Sequence, residues 1–173
     1  MAVLAEQGFT QTSFARIREH AQLSSTRLIS YHFADKAELL QAVIERIVAA
    51  SAEVMVPAMD REETIRGKLA AYIRSNMAFL ADHPAWARAA IEIIANVPRP
   101  QNEVREDTSA MLLAVLLAQG QQAGEMRAFD PAIMAHNVRA AIDAFAARLP
   151  QDPSLVDVAI FETVTLFDRA TAA

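Results

Sequence analysis

Apolar residues recur every three or four positions along most of this chain, and that regularity restricts the fold more than any other feature, because such a stripe lines up only on an α-helix. Leu40, Val43, Ile44, Ile47 and Val48 trace one helix from about Lys36 to Val56, which Pro57 is expected to stop for want of an amide donor. Ile65, Leu69, Tyr72, Ile73 and Leu80 mark a second, from about Arg61 to Ala81. His83-Pro84 interrupts the chain, and Trp86, Ala90, Ile93, Ile94 and Val97 carry a shorter helix to Pro98. Another runs from Asn102 to Ala123 through Val104, Met111, Leu112, Val115 and Leu116, and ends at Gly124, where glycine accepts the positive φ of a helix terminus. Two more follow Pro131 and Pro153, since proline in a first turn costs little. With 4 glycines and 7 prolines in 173 residues, long helices are interrupted rarely, and the fold class is all-α.

The last two helices differ from the rest. Ile133, Met134, Val138, Ile142 and Phe145 on one, and Leu155, Val156, Val158, Ile160, Phe161, Val164, Leu166 and Phe167 on the other, cover more than one stripe. A helix apolar on most sides is expected to be buried on most sides. At the end of a chain this size, that predicts a two-fold homodimer packed through these helices as a four-helix bundle.

Composition removes several function classes. There is no cysteine, so neither disulfides nor thiolate metal sites can form. No apolar run reaches the ~18 residues of a membrane span, and "MAVLAEQGF" lacks the basic and apolar segments of a signal peptide, so the expectation is a soluble cytoplasmic protein without membrane contact. The net charge of -5 should repel a polyanion on average. Residues 1–50, however, are neutral, with Arg16, Arg18, Arg27, Lys36 and Arg46 balancing Glu6, Glu19, Asp35, Glu38 and Glu45, so any nucleic-acid contact belongs near the amino terminus.

There the helices become short. Ser13 can cap one running to about His20, with Phe14, Ile17 and Ala21 on its buried side. Ala21-Gln22-Leu23-Ser24 turns, Ser24 or Ser25 can cap a second short helix reaching Phe33, and Asp35 with Glu38 forms a capping box for the next. Two short helices joined by a tight turn and followed by a long one make a helix-turn-helix. If Leu28 and Ile29 pack inward on Ile17 and Ala21, then Ser25, Thr26, Arg27, Ser30 and Tyr31 stay outside. These are small hydroxyls, a guanidinium and a phenol that fit a major groove, where Arg27 can donate a bidentate pair to guanine. Lys36 is unfavourable in a helix first turn unless an anion, such as a phosphate, shares the site.

Residues 8 to 43, "GFTQTSFARIREHAQLSSTRLISYHFADKAELLQAV", resemble the DNA-binding domain of TetR-type transcriptional regulators through Gly8, Phe9, Thr12, Ser13, Ile17, Ala21, Ser24, Tyr31, His32, Phe33 and Lys36. Gln22 stands where that family usually has a turn glycine, which predicts another backbone geometry or some strain. The Ile17-to-Phe33 interval is one residue longer than the commonest pattern, so the base-reading positions can slide by one. The stretch before Gly8 leaves room for a first helix of about two turns, without a basic arm. The resemblance implies a helix-turn-helix DNA-binding domain over residues 1–45 and a helical effector-binding and dimerisation domain over 46–173. It implies a homodimeric repressor that places Ser25 to His32 in the major groove of palindromic double-stranded DNA. Ser13, Tyr31 and Lys36 would hold phosphates while Thr26, Arg27 and Ser30 read bases.

An enzyme is not expected. The histidines His20, His32, His83 and His136 form no metal-binding spacing, and nucleotide-loop and nucleophile motifs are absent. No cofactor is called for. Gly120 and Gly124 suggest a close helix approach and a helix end. The resemblance implies a small-molecule effector between helices of the larger domain. Polar groups within apolar stretches supply candidates: Tyr72, Asn76, Trp86, Arg88, Glu92 and Asn96, with Met55, Met59, Met77, Phe79 and Met111 as adaptable walls. The alternative is a dimeric helical module that binds a small molecule or protein and has lost DNA binding.

Overall fold

The computed structural model describes residues 1–96, 108–149 and 155–173. Its elements are α1 Ala2–Gln11, α2 Phe14–His20, α3 Arg27–His32, α4 Lys36–Asp60, α5 Ile65–Asp82, α6 Pro84–Asn96, α7 Thr108–Gln122, α8 Pro131–Arg148 and α9 Val156–Thr171. Among the described residues no strand forms, apart from an isolated bridge between Met126 and Ala172, and no helix is long and apolar enough to cross a membrane. The expected all-α class holds, and short helices precede long ones.

Side-chain caps set several helix starts. Ser13 accepts from the Arg16 amide at 3.3 Å, Asp35 from Glu38 at 2.9 Å, and Asp130 from Ala132 and Ile133 at 2.9 and 3.0 Å. The capping box at α4 is shifted by one residue, because Glu38 reaches back to the Ala34 amide at 2.6 Å. Thr64 accepts from Gly67 at 3.0 Å, so α5 starts at Ile65 and not at Arg61.

A second correction concerns Pro57, which lies inside α4. The helix continues to Asp60 because Pro57 and Glu53 both face solvent, where water can satisfy the carbonyl that loses its amide donor. Val97, Pro98, Asn102, Val104 and Pro153 lie outside the described residues.

Two apolar cores hold the helices. Leu4, Ile29, Leu40, Ile47, Phe79 and Ile93 join α1, α3, α4, α5 and α6. Leu69, Ile73, Met77, Leu117, Val138, Ile142 and Phe167 join α5, α7, α8 and α9. α5 contributes to both, and α4 runs unbroken through positions 45 and 46. A Cβ at Gly120 would fall 2.6 Å from Met126 Sδ and 3.0 Å from Ile65 Cγ2, so the end of α7 packs closely against these two side chains. α7 stops before Gly124, whose φ is 72°. Arg66 reaches Asp168 of α9 at 2.7 Å, and the Arg127 amide donates to Thr171 O at 3.0 Å, which ties this end together.

The terminal pair is not buried on most sides within one chain. Ala135, Val138, Ile142 and Phe167 face the core, whereas Ile133, Val158, Phe161 and Leu166 lie exposed on the outer side.

Candidate nucleic-acid interface and ligand cavity

The reading end is held from behind. Val3 and Leu4 of α1 are buried, and Gly8 breaks that helix with φ 76° and ψ 175°, a left-handed region open to glycine. The break turns the next amide outward, so that Phe9 N donates to Glu92 Oε2 of α6 at 2.7 Å. Phe9 O accepts from Lys36 Nζ at 2.5 Å, and the same ammonium lies 3.9 Å from the centroid of the Phe9 ring. Lys36 is therefore half-buried and engaged by the α1 end, which answers its unfavourable helix position without any phosphate.

The turn between α2 and α3 contains Gln22 at φ 53°. A side chain there costs ~1–2 kcal/mol, so the strain predicted for the missing glycine is present. Ser25 Oγ then accepts from the Arg27 amide at 3.1 Å, and α3 begins at Arg27. Ile29 is its buried residue, with Thr26 and Phe33 half-buried beside it.

Leu28 does not pack inward as expected. It is 56% exposed, and Ala21 is exposed too. Helix geometry gives the reason: neighbouring positions lie about 100° apart around the axis, so with Ile29 turned into the core Leu28 is carried to the outer side. The outward face consequently consists of Arg27, Leu28, Ser30, Tyr31 and His32, with Tyr31 83% exposed. Ser30 donates to Thr26 O at 3.2 Å, and the Tyr31 and His32 rings meet edge-on at 5.1 Å. Ser13 and Ser25, one at the start of each short helix, are exposed, and each already accepts a helix amide.

Behind this end, α4, α5, α6, α7 and α8 enclose a cavity of about 620 Å³. Ile47, Met55, Phe79, Leu113 and Ile142 are among its mostly apolar walls, and Val48, Ile94 and Leu112 are exposed at its edge. Of the candidates, Tyr72 and Asn76 line it, as do Met55, Met59 and Phe79. Asn76 is committed internally, donating to Tyr72 O at 2.8 Å and accepting from Ser51 Oγ at 3.1 Å. Arg139 donates to the Tyr72 hydroxyl at 3.3 Å and pairs with Asp143 at 3.3 Å.

The other candidates lie elsewhere. Trp86 stacks edge-on with Phe79 and His83, at 5.8 and 5.2 Å, behind the wall. Arg88 is exposed, Glu92 holds α1, and Asn96 donates to Glu92 O at 2.9 Å. Met77 is fully buried in the second core, and Met111 is exposed on α7. Sequence reasoning missed Ser51, Arg139 and Asp143, since a polar residue in an amphipathic helix reads as surface until the neighbouring helix is placed. Among the described residues no group of three or more acidic or histidine side chains gathers as a metal site would require.

A strained turn, an outward short helix and an apolar chamber behind them define the architecture: a helix-turn-helix head on a larger helical body. The pattern described as bacterial regulatory proteins, tetR family, matches residues 1–43 of this chain. Solved structures share the fold of the whole chain. A TetR family transcription regulator from Marinobacter aquaeolei aligns with a TM-score of 0.79 at 20% identity, over 98% of this chain and 90% of that one. AibR, solved with isovaleryl coenzyme A and operator DNA, aligns at 0.74 and 16%, over 95% and 91%. The ketosteroid transcriptional regulator KstR2 of Mycobacterium tuberculosis aligns at 0.67 and 18%, over 99% and 90%. No curated protein sequence matches significantly.

Proposed function

We propose that the chain is a one-component transcription regulator, a homodimeric repressor that binds palindromic DNA through α3 and is released by a small molecule in the cavity. The observation carrying this reading is the orientation of α3. Ile29 anchors it from inside while Arg27, Leu28, Ser30, Tyr31 and His32 stand outside, small or planar enough for a major groove. Leu28 adds an apolar group suited to a thymine methyl, and Arg27 a donor pair suited to guanine. Thr26, half-buried, supports the helix more than it reads bases.

The uncovered apolar face of α8 and α9 supplies a surface for a second copy, and a dimer gives the two reading helices required by a palindromic site. Work on DNA places the protein in the cytoplasm, and no catalytic role is assigned to it. Residues 1–45 read DNA and 46–173 bind the effector and dimerise, with α4 shared between them.

Selection of duplexes from a randomised pool, followed by a salt titration of the winner, tests this. A selected inverted repeat whose affinity falls steeply with salt is expected from counterion release. Failure to enrich any sequence would instead favour a ligand-binding module without DNA recognition.

A further inference from the structure

The chamber is longer than it is wide, and its lining shows the direction. Along α4 the wall falls at Ile44, Ile47, Ser51, Met55 and Met59, intervals of three and four that keep to one face of the helix. At about 1.5 Å per residue, that face follows the void for about 22 Å. The stretches given by α5, α7 and α8 are shorter, about 12 Å each, from Tyr72 to Leu80, Thr108 to Leu116 and Arg139 to Ala147. A volume of about 620 Å³ drawn out over about 22 Å has a mean cross-section of about 28 Å², a width of about 6 Å and under a third of the length. The wall is chiefly aliphatic and thioether, with Phe79 and Tyr72 as the rings among the described lining residues. Beside its middle the Asn76 amide is committed to protein atoms, donating to Tyr72 O at 2.8 Å and Met55 Sδ at 3.2 Å and accepting from Ser51 at 3.1 Å.

Building on the role of this chamber as the effector site, we propose that it takes an unbranched aliphatic chain laid lengthwise along α4, so that the effector is a long-chain aliphatic molecule. Each methylene that reaches the wall leaves water, which tightens binding about fourfold. A compact ring with the same number of carbons cannot extend from Ile44 to Met59. It leaves part of the channel without contacts and forfeits their dispersion energy.

The probes are octan-1-ol, dodecan-1-ol and cyclododecanol, titrated into the full chain below their solubility limits. The single tryptophan reports binding, because Trp86 contacts Phe79 of the wall at 5.8 Å, and equilibrium dialysis checks it independently. Dodecan-1-ol is expected to bind one per chain and at least tenfold more tightly than cyclododecanol, after correction for the partition of each from water into hexadecane. Ala52→Phe places a ring near the midpoint of the α4 wall, at a half-buried position. It should weaken dodecan-1-ol at least tenfold and octan-1-ol, which fits one half of the channel, less than threefold. Equal or tighter corrected binding of cyclododecanol to the unaltered protein overturns the proposal, as does an equal effect of Ala52→Phe on the long and short alcohols, or failure of all three to bind in dialysis. These outcomes are separate from DNA reading. If dodecan-1-ol binds as expected and leaves affinity for a selected duplex unchanged, the chain site stands and the effector reading falls. If a compact molecule in the same chamber releases the duplex while dodecan-1-ol does not bind, only the chain assignment falls.

Discussion

Glu92 should be worth more than its place on a half-exposed helix suggests, because it is the acceptor for Phe9 N in the segment that carries the reading head. The bond is 2.7 Å long, partly buried, and made to a carboxylate. Hydrogen bonds to charged groups contribute roughly 1.5–3 kcal/mol, against about 1 kcal/mol for neutral ones. Glu92→Gln keeps an acceptor and loses the charge, and should cost about 1 kcal/mol. Glu92→Ala leaves the Phe9 amide without its acceptor and should cost about 2–3 kcal/mol, since desolvation of that group is no longer offset. Urea unfolding measures both, with an unchanged slope expected because the buried surface is the same.

A second readout separates positioning from stability. α6 lines the cavity with Ile91 and Ile94 while presenting Glu92 to Phe9, so both sites act on one helix. The factor by which a bound ligand alters DNA affinity should shrink in Glu92→Gln, even at temperatures where both proteins are folded. If Glu92→Ala unfolds within ~0.5 kcal/mol of the parent, as an inert surface change does, the bond carries nothing and the reasoning is refuted.

Other outcomes turn on single sites. Gln22→Gly removes a side chain held at φ 53°, and after the unfolded-state entropy of glycine is deducted it should stabilise by about 0.5–1 kcal/mol in thermal or urea melts. Arg27→Ala should weaken binding to a selected duplex by about 1–3 kcal/mol and relax preference at one base pair, while a uniform loss across sequences would mark a phosphate contact instead. Phe161→Asp puts a charge into the uncovered α9 face, 66% exposed in the single chain, and should turn a dimer into a monomer of unchanged helicity by light scattering and circular dichroism. A parent protein that is already monomeric at micromolar concentration would end the dimer assignment.

Helix positions are legible in the sequence because burial repeats with the helical period, and boundaries are legible where a cap is paired with its amide, as at Ser13 and Asp35. Pro57 misleads since a proline rule assumes a buried carbonyl, and the one it frees belongs to exposed Glu53. Leu28 and Ile29 are adjacent, equally apolar and only one step apart, so the choice of anchor depends on which of them faces the core once α3 is docked. The cavity is half legible for a different reason. Periodicity separates inside from outside, and it places Tyr72 and Asn76 inside; it does not say which inside positions leave a void, nor that Glu92 meets Phe9, 83 positions away. Arg139 escapes notice because its partner Tyr72 lies on another helix.

The unbroken passage of α4 from Lys36 to Asp60 has a mechanical corollary. With Ile47, Ser51 and Met55 against the chamber and Lys36 clasping Phe9, the 25-residue rod connects the two, and under the proposed function it would act as a lever that passes a change in the chamber to the head. From Ser51 to Lys36 the rod measures about 22 Å, so a swing of ~5° at the chamber shifts the head by about 2 Å. In the proposed dimer the twofold axis would mirror that shift, changing the separation of the two heads by up to twice as much.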